Sequence, residues 1–162
     1  MNKKRAITVR ILIYLAILLL PVLMLIGTIH GLYQLNDHKT VTIEFDSIRH
    51  IENDSEYYVI KDIVGKTYEI ETHYQQAFNF DNFSENVETG HELSITYVGE
   101  KTVLEVKNST ETFLNLSEST RLLKQSYTFF IILSGILFFT ILILEVYEYS
   151  KWMKSEKYDK QN

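Results

Sequence analysis

Two long apolar runs lie towards the ends of the chain, and the pattern between them has a different period. Residues 11–29 read ILIYLAILLLPVLMLIGTI, nineteen positions without a charge. Residues 127–144 read YTFFIILSGILFFTILIL, eighteen more. A bilayer core about 30 Å thick needs about 20 apolar residues in a helix to cross it. Both runs therefore predict transmembrane helices. The first is longer than the apolar region of a signal peptide, and its exit (Ile26-Gly27-Thr28-Ile29-His30-Gly31) has no small-x-small cleavage pair, so a retained anchor is expected. Pro21 falls mid-run and predicts a modest kink.

Between the runs the repeat drops to two. After a polar link at residues 32–39, Val41, Ile43 and Phe45 alternate with Thr42 and Glu44, as in a half-buried strand. Ile48 and Ile51 break the phase, which predicts a bulge near Asp46-Ser47 in one long bent strand. Residues 52–56 (ENDSE) read as a turn. Residues 57–62 and 67–74 then form a hairpin around Gly65, with Tyr68, Ile70 and Tyr74 on one face. In residues 75–87, Ala77, Phe80, Phe83 and Val87 recur at helical spacing; either a short helix or a compact loop fits. Residues 91–98 alternate again, Leu93, Ile95 and Tyr97 inward. Gly99-Glu100 suits a two-residue type II′ turn into a strand at residues 102–107. Asn108-Ser109-Thr110 is a turn, residues 112–116 a last short strand, and Ser117 the expected N-cap of a long helix with Glu118 in its first turn.

The fold class is thus membrane α plus all-β: two transmembrane helices flanking a small extracytoplasmic β-barrel, OB-like in element order, or a curved antiparallel sheet. The expected divisions are a basic N-terminus (1–10), the first span (11–29), the β domain (31–125), the second span (127–144) and a tail (145–162).

Charge adds orientation. Lys3, Lys4, Arg5 and Arg10 precede the first span, and Lys151, Lys154, Lys157 and Lys160 follow the second. The positive-inside rule places both termini in the cytoplasm and the middle outside. Tyr147, Tyr149 and Trp152 stand where interfacial aromatics are expected. Residues 31–126 hold seventeen acidic and eight basic side chains, a formal charge of −9, which disfavours nucleic acid as a partner. With no cysteine, the domain has no disulfide and must fold on core packing.

The pattern V-G-K-T-Y-E-I (64–70), followed by T-G-H-E-L-S-I-T-Y-V (89–98), resembles small two-pass bacterial membrane proteins with an extracytoplasmic β domain. The likeness covers about residues 40–107. Many of those proteins place a proline after the last tyrosine, where this chain has Val98-Gly99-Glu100. The resemblance implies no reaction and no functional residues; the expected home, the plasma membrane of a bacterium, rests on the size and style of the chain rather than on a motif.

No hydrolase elbow, zinc-protease helix, phosphate loop or dinucleotide turn is present. Of the five histidines, only His73 and His91 have a chance of meeting across a sheet, and no metal or other cofactor is expected; a histidine cluster would instead read as a pH sensor. Asp81, Glu85 and Glu88 adjoin Phe78, Phe80 and Phe83. The carboxylates read either as a contact for a cation or basic peptide or as a solvated acidic face, and the phenylalanines either as an exposed apolar patch for a partner or as core; the candidate partner surface is Phe78, Phe80, Phe83, Asp81 and Glu85. Asn53, Asn82, Asn108 and Asn115 each begin an Asn-x-Ser/Thr triplet. Ser134-Gly135 is a small-residue notch for helix packing against Ala16, Gly27 or another subunit.

The functional expectation is a non-enzymatic two-pass protein whose outer domain binds a protein or senses a ligand, as a partner complex or homo-oligomer. The alternative is a bacteriocin-immunity or transporter-accessory protein acting through its spans. An enzyme with paired exported carboxylates ranks third, because so small a domain leaves little room for a cleft.

Overall fold

The computed structural model describes residues 3–52 and 56–158. Residues 53–55 of the expected ENDSE turn, with the Asn53 triplet, lie outside the described residues. So do the side chains of Lys3, Lys4, Arg5, Arg10, Trp152, Lys154, Lys157 and Lys160. In chain order the elements are α1 (Lys3–Gln34), β1 (Lys39–Glu52), β2 (Glu56–Asp62), β3 (Thr67–Ile70), a 3-10 turn (Gln75–Ala77), α2 (Phe80–Asn86), β4 (Glu92–Val98), β5 (Thr102–Lys107), β6 (Thr112–Leu114) and α3 (Leu116–Tyr158).

The strands form one closed barrel. β1 pairs with β2 and β4, β2 with β3, β4 with β5, and a parallel β3–β5 contact completes the circuit, while β6 extends β5. Five strands in this order, with a helix between the third and fourth, make an OB-like connection. The bend that closes it lies in β1. Its first half pairs with β4 from Lys39↔Tyr97 to Glu44↔Glu92, and its second half pairs with β2 from Ser47↔Lys61 to Glu52↔Glu56. The register shift between Phe45 and Ser47 is the bulge expected at Asp46-Ser47. Asp46 bonds the Lys61 ammonium at 2.8 Å, and that bond, with one from Ser47, holds its carboxyl below the usual range.

The interior is filled by Ile60, Tyr68, Ile70, Leu93, Ile95 and Leu104, each at most 1 % exposed. Leu35, just past the end of α1, and Leu123 of α3 join the same core. The link expected over residues 32–39 is therefore shorter, because α1 runs on to Gln34 and Leu35 packs inward. Gly31 allows the approach of Tyr127, whose ring lies 2.7 Å from where a Cβ would stand.

Four local expectations are corrected. β3 ends at Ile70, and Tyr74 reaches the core from the turn beyond it rather than from the strand. In β4 a second register shift, between Thr96 and Tyr97, reverses the alternation. Thr96 is buried, satisfied by the hydroxyl of Thr40 and the carboxylate of Glu105, while Tyr97 stays half-buried against Tyr68 and Lys66. The β4–β5 turn has three residues, with Gly99 at φ +61°, rather than two. Asn115, rather than Ser117, caps α3: its Oδ1 accepts from the Ser117 amide at 2.9 Å.

The chain divides into two compact units, His30–Tyr127 with the barrel and a second made by the rest of the two helices. Both helices are long and apolar enough to cross a membrane, over Leu12–Gln34 and Leu116–Lys151. Only 6 % of each apolar window is buried, unlike the core helix of a soluble domain. α1 continues through Pro21. Its covered positions include Tyr14, Leu18, Pro21, Leu25 and Thr28, with Met24 beside them; in α3 they include Ile131, Ser134, Phe138, Ile141 and Glu145. The alternating four-three spacing is that of a helix seam. Ser134 is 2 % exposed, but a Cβ on Gly135 or Gly27 would meet nothing within 4 Å. A tight glycine contact within the chain is the one at Gly31, in the barrel unit.

The Tyr74 phenol donates to the Val103 carbonyl at 2.5 Å across the closing seam. Burial, and then Glu71, raise its pKa, so it remains a donor at neutral pH. Tyr74→Phe is expected to leave that carbonyl unpaired and to cost about 1–3 kcal/mol. Amide hydrogen exchange is the check: protection in β3 and β5 should fall together, and unchanged protection there would remove the seam role of Tyr74.

Candidate functional site

The β1–β2 register sets His50 opposite Tyr58, and the rings stack at 4.6 Å with an 18° interplanar angle. Phe80 also stacks with the Tyr58 ring, at 5.0 Å and 22°. Phe80 is placed there by its neighbours in sequence. Asn79 caps α2 by accepting from the Asn82 amide, which fixes where the helix starts. Phe78 and Phe83, on either side, are inserted into the core. Phe83 meets Phe45 and Phe113 edge-on at 5.4 and 5.2 Å, and Phe78 meets Tyr58 at 5.3 Å. A chain of ring contacts thus runs from the barrel interior out to His50.

His50, Tyr58, Phe78 and Phe80 line an open groove of about 600 Å³ with Glu56, Gln75, Asn79 and Asp81. Glu56 Oε2 accepts from Gln75 Nε2 at 3.1 Å. The other amide atom, Gln75 Oε1, is buried without a hydrogen-bond donor. His50 Nδ1 lies 3.0 Å from Glu52 Oε1. The Tyr58 phenol is pushed above its ordinary pKa, first by burial and then by Asp81, Glu56 and Glu52. Three carboxylates thus act on one phenol at the groove.

Of the five side chains anticipated as a partner surface, the structure brings three to this groove, Phe78, Phe80 and Asp81. Phe78 is nevertheless only 5 % exposed, and Phe83, 1 % exposed, belongs to the core, the blander of the two readings. Glu85 is exposed on α2 but does not line the groove. His50, Tyr58 and Glu56 were missed, because they lie some 20–30 residues away in sequence and only the β1–β2 register joins them to Phe80. The rhythm of β1 and β2 signalled the pairing but not its depth.

A second groove, of about 660 Å³, is lined by amides and hydroxyls around Asn86, His91, Ser94 and Asn108. His73 lies beside Ser126, and His91 Nδ1 accepts from the Glu88 amide. Among the described residues no three His, Asp or Glu side chains converge as metal ligands would. Asn82, Asn108 and Asn115 all hold local structure: a bond to Glu111, the turn before β6, and the α3 cap.

Comparison with known protein families, with curated proteins and with solved structures finds no match for this chain.

With Asp81→Asn and Glu56→Gln together, the phenol loses two of its three anionic neighbours. The Tyr58 pKa should then fall towards the ordinary value, although burial still holds it up. A ring-carbon NMR titration of labelled tyrosine reads this directly, and superimposable curves for the two proteins would disprove the electrostatic arrangement.

Proposed function

We propose that this is a non-enzymatic, two-pass membrane protein that carries a β-barrel recognition module. In this reading α1 and α3 cross the plasma membrane of a bacterium, both termini are cytoplasmic, and residues 31–125 are extracytoplasmic. The barrel binds a protein partner or senses an envelope ligand. The observation that carries the reading is the combination of a filled interior with an exposed aromatic groove. Ile60, Ile70, Leu93 and Leu104 fill the barrel interior, so recognition falls to its outer surface. On that surface Tyr58 and Phe80 stand half-exposed beside carboxylates. The acidic balance of the domain weighs against nucleic acid as the partner.

The alternative, action through the spans as an immunity or transporter-accessory protein, draws on the covered stripe around Pro21, Thr28 and Ser134. It makes the helices, not the barrel, the working surface.

The absence of cysteine makes topology easy to test. A single cysteine at Glu85 should react with a membrane-impermeant maleimide on intact cells, and one at Lys151 only after permeabilisation. The reverse pattern, or labelling of both, would overturn the topology. In a parallel pulldown from native membranes, removal of residues 31–125 should remove the crosslinked partner. Retention of the partner would transfer the function to the spans.

A further inference from the structure

Resting on the reading of the barrel as a recognition module, we propose that the His50–Tyr58–Phe80 groove takes a basic segment of a protein partner. An arginine or lysine side chain would lie against the rings with its charge met by Glu56 and Asp81. Elsewhere on the barrel, carboxylates are neutralised by the chain's own lysines: Asp46 by Lys61 at 2.8 Å, Glu69 by Lys101 at 2.6 Å and Glu105 by Lys107 at 3.0 Å. Among the described residues no lysine or arginine pairs with Glu56 or Asp81, and both stand at the groove beside the half-exposed rings of Tyr58 and Phe80.

That pairing of rings with anions is the chemistry that holds an organic cation. The chain uses half of it internally, since Lys66 Nζ lies 4.9 Å from the centroids of both Tyr68 and Tyr97. About 600 Å³ is larger than one inorganic ion needs and suits a long side chain with its flanking residues. A planar guanidinium stacks on aromatic faces and forks onto carboxylates, which favours arginine over lysine. The acidic field of the domain would steer such a segment from a distance and weaken with salt.

The test uses the full chain in nanodiscs of zwitterionic lipid, titrated with labelled hexaarginine, hexaglutamate and maltohexaose. Hexaarginine alone should bind. Glu56→Gln with Asp81→Asn should weaken it about tenfold, whereas Glu85→Gln with Glu88→Gln, an equal change in net charge outside the groove, should weaken it less than about twofold. Equal weakening by both pairs would overturn the site and leave only attraction by the whole field. Maltohexaose binding that Phe80→Ala abolishes, without a hexaarginine response, would overturn the cation but keep the recognition module. Failure of all three probes, with the crosslinked partner retained after removal of residues 31–125, would overturn both.

Discussion

The barrel is closed by a very narrow seam between the parallel strands β3 and β5, where a single residue pair, Glu69 opposite Thr102, is in register. Without it, β3 and the first half of β5 would present open edges. Backbone pairing this short is reinforced by side chains. Glu69 N donates to the Lys101 carbonyl, Lys101 Nζ returns to the Glu69 carboxylate, Thr102 bonds Glu71, and the Tyr74 phenol bonds Val103. A parallel pairing needs a long crossover, and this one consists of the α2 segment and β4. The crossover is also what lays Phe80 over Tyr58. The groove is therefore a by-product of the connection that closes the barrel.

Much of this architecture was legible because two periodicities meet in one chain. The uncharged runs at residues 11–29 and 127–144 declared two helices, and the broken alternation after Phe45 declared the bend in β1. The misreadings have a common physical origin. Alternation marks which residues are apolar, not where a strand is interrupted. Tyr97 looked inward until a second bulge turned Thr96 inward instead, with two neighbours to satisfy its hydroxyl. Tyr74 looked like a strand residue because the core needs it there, although the backbone has already left the sheet. At the groove, Phe80 and Asp81 were visible as a local cluster. His50, Tyr58 and Glu56 were not, since their proximity is a matter of register between β1 and β2 and of the crossover that returns the chain over them.

The two compact units divide the work along physical lines. The helices offer lipid-compatible surface and a seam of covered positions, with few groups able to hydrogen-bond a ligand. The barrel offers a rigid frame whose aromatic residues are mostly committed to the core. Among Phe45, Phe78, Phe83 and Phe113, none has surface to spare. That leaves Tyr58 and Phe80, held from behind by the buried rings, as pre-organised contact area beside a rim of negative charge. A binding surface on a rigid sheet loses little conformational entropy when occupied.

Site-specific photo-crosslinking in native membranes tests the central claim most directly. A photoreactive residue at Gln76, on the groove rim, is compared with one at Glu100, in the β4–β5 turn; both positions are exposed. The account predicts a discrete protein adduct from Gln76 that Glu56→Gln with Asp81→Asn suppresses, and none from Glu100. Adducts from both positions alike, or an adduct from Gln76 that is indifferent to the two carboxylates, would contradict it.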